Sequence, residues 1–274
     1  MNKIYCSTGV MVGKINNNDY TLITKYFPSL IDNGLIFGAE FMFAHSFYEN
    51  LDDIYNEISK SSIPFDIMHF DKEIGIMLSE CNDDISEKAM KLLETNCQFA
   101  KKIGAQKGVF HLWGGIKSDS CIEYNISYLP RIIEIFKKYD VELLIENIPC
   151  TVNSGLKVWR MIYDFLPNIG FIFDTRFGAF HGEMAEIFNE PIWKHIKHIH
   201  ISDYSSYPRD FSKIRPILHP LEGVIDFDFV FKRLKELEFN GSFTLESPVF
   251  ADNQPDIKKL ENTLRYLNDN INRS

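Results

Sequence analysis

The chain has few cysteines and no long hydrophobic run, and each scarcity argues against a class of protein. Its 274 residues include only five cysteines, with no CxxC pair among them, which suits a reducing compartment and argues against a disulfide framework or a zinc knuckle. No apolar run approaches about 18 residues, and the N-terminal MNKIYCSTGVMVG lacks the charged and apolar regions of a secretion signal. We therefore predict a cytoplasmic, soluble protein with no membrane segment. The cysteines are Cys6, Cys81, Cys97, Cys121 and Cys150.

Positive charge is also scarce. The formal net charge is −9 at pH 7, and nucleic-acid affinity comes largely from Lys and Arg side chains that neutralise phosphates. The composition therefore disfavours DNA or RNA as a partner. No Pro-, Gly- or Ser-rich linker divides the chain, and its 45% hydrophobic content can fill a large core, so we predict one domain that spans residues 1–274.

Short β-rich runs alternate with amphipathic segments along the whole chain. Residues 83–105 show the helical pattern best, since apolar residues recur at helical spacing until Gly104, and residues 121–140 read as a helix in the same way. Strict alternation predicts a parallel sheet, and eight such units over roughly 250 residues predict a single (β/α)8 TIM barrel of the α/β class. A doubly wound open sheet is the competitor, but no GxGxxG follows the first run. The runs are 3–9, 34–43, 64–70, 107–113, 141–148, 169–175, 197–204 and 241–247.

Four of these runs carry, near their ends, a side chain of a type that can bind a metal ion. In a TIM barrel the reactive groups gather where the strands end, and strand residues of equal parity share a face. The run VELLIENIPC closes on Glu146, whose carboxylate is costly to bury without a partner. Glu146 is predicted to lie above Leu144 at the barrel mouth, where a cation neutralises it. His198, one layer below His200, is interpreted as packing. The four strand-end residues are Glu146, Asp174, His200 and Glu246.

The order of these motifs resembles the xylose isomerase-like TIM-barrel superfamily of sugar isomerases and epimerases, which also includes DNA-repair enzymes of the endonuclease IV type. The family's motifs in strands five, six and seven are similar to LLIENIP, FIFDT and HIHISD. Its Gly-rich turn before helix seven is similar to LEGVIDF, and its last strand is similar to GSFTLES. The resemblance implies that the four strand-end residues bind one divalent metal ion. Three carboxylates and one imidazole suit Mn²⁺ above all, or Mg²⁺, Co²⁺ or Zn²⁺.

The resemblance also implies a reaction. The expected activity is that of a metal-dependent aldose-ketose isomerase or ketose epimerase acting on a small-molecule sugar or sugar derivative. The ion would chelate a carbonyl and an adjacent hydroxyl and so stabilise an enediolate. Glu146 and Glu246, on opposite sides of the substrate, would remove and return the proton, because a ligated carboxylate stays ionised and keeps a free oxygen near the carbon.

Six further residues are candidates for contact with the substrate. His69 and His111 match positions that hold an additional zinc in the endonuclease branch and that line the substrate pocket in isomerase-like members. His111 also has a structural interpretation, as a stacked partner of Trp113. Glu40 is predicted either to accept hydrogen bonds from hydroxyl groups or to form a structural ion pair. The six candidates are Glu40, His69, His111, Trp113, Phe177 and Arg209.

One position departs from the family pattern. The family commonly has Asp-x-x-His after strand six, whereas DTRF places Phe177 at the histidine position, and His181 is the nearest replacement. The departure and the acidic net charge argue against phosphodiester cleavage of abasic DNA, which stays an alternative. A sugar-binding barrel without turnover and a dehydratase acting on a polyol derivative are two others. Barrels of this kind often pair, so the resemblance leaves a homo-oligomer open.

Overall fold

A closed barrel of eight parallel strands forms the centre of the protein. The computed structural model describes residues 2–206, 208–251 and 254–272. Each strand pairs with the next one along the chain, and β8 pairs with β1 to close the barrel. The prediction of a (β/α)8 TIM barrel is therefore confirmed. The strands are β1 Ile4–Ser7, β2 Gly38–Met42, β3 Ile67–His69, β4 Lys107–Phe110, β5 Glu142–Glu146, β6 Gly170–Asp174, β7 Ile196–Ile201 and β8 Ser242–Leu245.

Helices surround the barrel and follow the strands. The helix predicted at 83–105 is confirmed, because the Asn82 side chain caps it by accepting the Ile85 N–H and Gly104, at φ +85°, ends it. The segment 121–140, predicted as one helix, is two, since Pro130 has no N–H to continue the preceding turn. The helices are α1 Thr21–Asp32, α2 Leu51–Ile58, α3 Glu73–Leu78, α4 Asp83–Ile103, α5 Ile122–Ser127, α6 Leu129–Lys138, α7 Gly155–Phe165, α8 Thr175–His181, α9 Met184–Ile187, α10 Phe227–Glu236 and α11 Ile257–Asn272. Within the described ranges, no helix has the length and apolar character to cross a membrane.

The barrel interior has two layers of different chemistry. The lower layer is an apolar cluster in which Leu144 and Ile172 lie below Glu146 and Asp174 on their strands, as strand parity predicts. A separate and larger apolar core fills the space between the sheet and the helices. The lower layer therefore supports the carboxylates that end β5 and β6. Its members are Tyr5, Ile67, Val109, Leu144 and Ile172, all with 2% exposure or less.

Two buried carboxylates organise the loops at the carboxyl ends of the strands. Asp119, after β4, accepts backbone N–H groups from each of residues 151–153 at 2.6 to 3.0 Å. Burial acts to raise the pKa of Asp119, but these hydrogen bonds lower it to about 2. Asp203, after β7, accepts the N–H groups of Gly223 and Ile225. A Cβ on Gly223 would lie 2.5 Å from Oδ1 of Asp203, so the turn LEGVIDF requires glycine there.

Two of the cysteines form a disulfide, whereas the sequence argued against a disulfide framework. Cys81 follows α3 and Cys121 precedes α5, and their sulfurs are bonded across a separation of 40 residues. The two helices pack against each other, so the fold brings together cysteines that show no motif in the sequence. Cys6, Cys97 and Cys150 are free and buried.

Candidate metal centre at the barrel mouth

Four side chains converge at the carboxyl end of the barrel, and we call them the quartet. Glu146 ends β5, Asp174 ends β6, His200 lies in β7, and Glu246 follows β8 directly. One ligand atom of each lies within 4.8 Å of the others, so the structure brings together the four residues that the sequence predicts. Glu246 is the member most open to the mouth, with 9% of its side chain exposed, whereas the other three are buried.

His200 lies between carboxylates on both sides of its ring. Nδ1 is 2.8 Å from Oε1 of Glu146 and 3.4 Å from Oε1 of Glu246, and Nε2 is 3.1 Å from Oε2 of Glu40. Burial acts to lower the pKa of His200, but the carboxylates, Glu246 foremost, raise it well above its usual value. Burial acts to raise the pKa of Glu146, whereas His200 and His111 lower it well below its usual value. A positive charge is thus favoured at the centre of the quartet.

Of the two buried carboxylates in the quartet, Asp174 is the one whose burial is less compensated by hydrogen bonds. Its Oδ1 accepts the N–H of Phe177 at 3.0 Å, while its buried Oδ2 has no hydrogen-bond partner among the described residues. Burial raises the pKa of Asp174 to about 7; Arg176, at 3.8 Å, opposes the shift, and Glu146 and Glu246 add to it. A divalent cation would satisfy a buried carboxylate oxygen that has no partner and lies beside two further carboxylates.

His69 and His111 form a second group with Glu146. Nε2 of His111 lies 2.5 Å from Oε2 of Glu146, and Nε2 of His69 lies 3.6 Å from the same oxygen. Ligand atoms of the three residues lie within 4.8 Å of one another. Burial lowers the pKa of His111 to about 3, although Glu146, beside its Nε2, opposes the shift. Both histidines reach the mouth as predicted, and their roles stay a prediction.

Glu40 and His198 lie one layer below the quartet, and the sequence interpretation missed their contact. Oε2 of Glu40 is within 3.2 Å of Nε2 of both His198 and His200 and accepts the Thr244 hydroxyl at 2.8 Å. Glu40 is fully buried, so its placement fits the predicted ion pair and not contact with a substrate hydroxyl. His198 is buried as predicted but is hydrogen-bonded, which corrects its interpretation as packing. His198 and His200 are two residues apart on one strand and so share a face, which is the feature of the sequence that could have indicated that both reach the barrel interior.

Two predicted contact residues are aromatic and lie beneath the loops around the mouth. Trp113 is fully buried and donates its Nε1–H to the carbonyl of Pro149 at 3.3 Å. Phe177 is buried under the guanidinium of Arg176, which lies 4.2 Å from the ring centroid. Both side chains are buried, with 0% and 7% exposure. Their burial does not support contact with a substrate, and that role stays a prediction.

The loop 150–153, which follows β5, is tied to neighbouring loops. Arg209, after β7, donates to the carbonyls of Cys150 and Thr151 at 3.4 and 3.1 Å. His181, at the end of α8, accepts the Cys150 N–H at 3.1 Å, and burial lowers its pKa to about 4. Arg209 thus has a structural contact in addition to its predicted role with the substrate. The acceptor nitrogen of His181 is already engaged, so His181 is a poor replacement for the missing histidine.

A cavity of about 230 Å³ opens beside His111. Its walls include the apolar side chains of Ile76, Ile148 and Phe211, and Lys72 adds a positive charge. The ring of His111 joins this cavity to the quartet, because it also contacts Glu146. The cavity therefore adjoins the quartet through His111.

The chain belongs to the xylose isomerase-like TIM barrel family, whose pattern matches residues 37–269. A segment of 169 residues is 27% identical to an uncharacterized protein of Methanocaldococcus jannaschii and spans 58% of this chain and 55% of that protein. Another, of 126 residues, is 25% identical to an inosose isomerase of Bacillus licheniformis and spans 44% of this chain and 45% of that protein. The chain thus spans about half the length of the curated relatives that it matches.

Solved structures share the fold over nearly the whole chain. The IolI protein with a bound zinc atom superposes with a TM-score of 0.71 at 16% identity, over 98% of each chain. A D-tagatose 3-epimerase-like protein gives 0.69 at 18% identity, over 98% of this chain and 99% of that one. The 3-keto-D-glucoside 4-epimerase YcjR from E. coli gives 0.65 at 14% identity, over 97% of this chain and 99% of that one. These likenesses establish the fold.

Proposed function

We propose that the chain is a divalent-metal-dependent isomerase or epimerase of a sugar or sugar derivative, folded as one domain over residues 1–274. The observation that carries the proposal is the quartet, in which three carboxylates converge on one imidazole. The buried Oδ2 of Asp174, which lacks a partner among the described residues, supports a bound cation. Relatives described as sugar epimerases and as an inosose isomerase support the reaction class.

The quartet would hold one divalent ion, and we propose Mn²⁺. Mg²⁺, Co²⁺ and Zn²⁺ also suit a site of three carboxylates and one imidazole. The zinc bound by the IolI protein supports a metal ion in a barrel of this fold. When bound, the ion supplies Lewis-acid polarisation of a carbonyl, which acidifies the neighbouring C–H.

Glu146 and Glu246 are the proposed proton-transfer residues. Glu246 is the quartet carboxylate with an exposed fraction toward the mouth, so it is placed to take a proton from a substrate carbon. Oε2 of Glu146 lies beside Nε2 of His111, which orients the carboxylate, and Oε1 lies beside Nδ1 of His200; Glu146 is the proposed base on the opposite side of the substrate. Removal of a proton next to a carbonyl leaves an enediolate. Return of the proton to the adjacent carbon gives isomerisation, and return to the opposite face of the same carbon gives epimerisation.

Two measurements test the proposal. Elemental analysis of the purified protein is expected to give one divalent ion per chain. Ketoses, aldoses and inosose-like polyols incubated with Mn²⁺ in D₂O are expected to include at least one compound that incorporates deuterium next to its carbonyl. A protein that holds the ion but exchanges none of them contradicts the isomerase reaction and favours the sugar-binding barrel. Exchange coupled to loss of water from the product indicates the dehydratase.

Phosphodiester cleavage of abasic DNA is the second candidate, because the group of His69, His111 and Glu146 offers ligands for another ion. Two or three tightly held zinc ions per chain would support it. The net charge of −9 disfavours a DNA partner, and Phe177 occupies the position of a family histidine. Metal stoichiometry therefore separates the two candidates before any substrate is known.

A further inference from the structure

Glu40 contacts the proposed metal site from the layer below. It lies in β2 and is fully buried inside the barrel. Its Oε2 is 3.1 Å from Nε2 of His200, while Nδ1 of the same ring is 2.8 Å from Glu146 and 3.4 Å from Glu246. The two nitrogens of His200 therefore face different partners: Nε2 faces Glu40, and Nδ1 faces the quartet.

This division matters because a metal-binding imidazole must present a nitrogen without a proton, so its proton must sit on the other nitrogen. An ionised carboxylate only accepts hydrogen bonds. When an ion lies among the quartet carboxylates, Glu40 keeps the His200 proton on Nε2 as an N–H donor, and Nδ1, which faces the quartet, is the nitrogen left to the ion. Metal-binding histidines almost always donate their other N–H to a carboxylate, a carbonyl or water, which fixes the ring and raises its basicity.

Neighbouring donors keep Glu40 in its accepting role. The Thr244 hydroxyl donates to Oε2 at 2.8 Å, and Nε2 of His198 lies 3.2 Å from the same atom. Nδ1 of His198 is 2.7 Å from the Ser242 hydroxyl, which donates to it when Nε2 of His198 carries the proton. In this tautomer the His198 N–H is shared between Oε2 of Glu40 and the Thr244 hydroxyl oxygen, which lies 2.9 Å away, and donors alone contact Oε2.

Stability alone does not account for a carboxylate at this position. A buried ion pair is often no more stable than well-packed apolar residues of similar volume. Ile67 and Val109 in the layer below show that the barrel interior accepts aliphatic side chains at the same burial. The other oxygen of Glu40, Oε1, has no hydrogen-bond partner among the described residues, which adds to the cost of burying it.

We propose that Glu40 is a positioning residue that fixes the Nε2–H tautomer and the ring orientation of His200, so that Nδ1 binds the metal ion. The inference rests on the proposed function, because it concerns the ion held by the quartet. Glu40 touches neither the ion nor the substrate and acts through His200.

The test compares the Mn²⁺ affinity of three variants. Glu40→Met removes both the charge and the acceptor, and is expected to weaken binding roughly 10- to 100-fold, as other losses of a partner behind a metal-binding histidine do. Glu40→Gln keeps an acceptor oxygen and the size, so a smaller loss is expected. Thr244→Val removes one donor but leaves the carboxylate, and is expected to bind close to wild type. Free Mn²⁺ is measured by electron paramagnetic resonance on protein whose circular dichroism matches the wild type.

Asp71→Asn is the matched control, since Asp71 is also a buried carboxylate in contact with a histidine, His45, at 2.7 Å. It lies outside the quartet, so its Mn²⁺ affinity is expected to stay at the wild-type value. The visible absorption of bound Co²⁺ is expected to shift in Glu40→Gln and not in Asp71→Asn, because only the first changes the hydrogen-bond partner of a proposed ligand, His200.

Three outcomes would overturn a claim, and they are distinguishable. Wild-type Mn²⁺ affinity in both Glu40 variants overturns the positioning role and leaves the metal site intact. A loss in Asp71→Asn as large as that in Glu40→Met shows a general effect of buried carboxylates and also overturns it. A wild-type chain that binds no divalent ion overturns the proposed function itself.

Discussion

The two layers of the barrel interior are equally buried and chemically opposite. The lower layer removes apolar surface from water, which is the main favourable term in folding. The upper layer holds ionisable groups that are unfavourable to bury unless they are paired. Since one barrel accommodates both, the upper layer is not imposed by the fold, and its composition indicates a site. This ionisable upper part of the interior comprises Glu146, Asp174 and His200 of the quartet, with Glu40 and His198 directly beneath them, each with 1% exposure or less.

Substitutions of the quartet glutamates are expected to have the largest effect, and that effect is on turnover. Glu146→Gln and Glu246→Gln keep the size and one ligating oxygen but lose the basic oxygen, so turnover is expected to fall by at least roughly 10²-fold to 10⁴-fold, as for a lost general base. Metal affinity is expected to fall only moderately. The measurement is proton–deuterium exchange on a substrate at saturating Mn²⁺. Exchange at the wild-type rate in both variants would show that neither glutamate is the base.

A truncation in the lower layer is expected to act on stability alone. Leu144→Ala leaves a cavity beneath the quartet and is expected to lower the free energy of unfolding by about 2–5 kcal/mol. Urea denaturation measures this loss. Mn²⁺ affinity of the folded variant is expected to match the wild type, because Leu144 supports the strand and not a ligand atom. A large loss of affinity would mean that the layers do not act separately.

Asp174→Asn is expected to stabilise the metal-free protein. Burial raises the pKa of Asp174 from 3.8 to about 7, so the folded state holds this proton more tightly than the unfolded state does. The stability contributed by the protonated form is therefore lost as the pH rises through this window. Because Asn does not ionise, the variant in EDTA is expected to melt above the wild type at pH 8 and to lose most of that advantage at pH 5. Added Mn²⁺ is expected to reverse the order at pH 8, and an unchanged order would argue against Asp174 as a ligand.

The smallest effect is expected at the polar edge of the lower layer. The Tyr5 hydroxyl donates to Oδ2 of Asp66 at 2.6 Å, and Tyr5→Phe is expected to cost about 0.5–1.5 kcal/mol of unfolding free energy. Asp66 retains Lys3 at 3.3 Å as a partner, which limits the loss. Chemical denaturation with and without Mn²⁺ checks it, and the cost is expected to be the same in both conditions.

The strand ends could be predicted from the sequence because an apolar run gives way to a charged or polar side chain within one or two residues. An apolar run that stops at Glu146 or Asp174 gives both the end of a strand and the direction of its last side chain, since parity fixes the face. The helix at α4 could be predicted because its cap and its closing Gly104 are local signals. Pro130 was a local signal too, and it marks the division between α5 and α6 that a single amphipathic pattern concealed.

Contacts across the barrel could not be predicted in the same way. Glu40 and His200 are 160 residues apart, and β2 and β7 are not neighbours in the sheet. Periodicity reports which face a side chain occupies but not which side chain it meets on the far side of the interior. The bond between Cys81 and Cys121 escaped prediction for the same reason, because it depends on how α3 and α5 pack.

The loop 150–153 links several segments at the mouth of the barrel, so that they are expected to open together. Asp119 and Arg209 reach it from two other loops and His181 from the end of α8, and its four backbone amides donate to Asp119 or to His181. Segments connected in this way open as one cooperative unit. Three residues from outside the loop therefore hold the backbone that follows Glu146. Asp119→Ala removes one of these contacts, and amide exchange is expected to become faster in the loop 150–153 and in the segments that contact it.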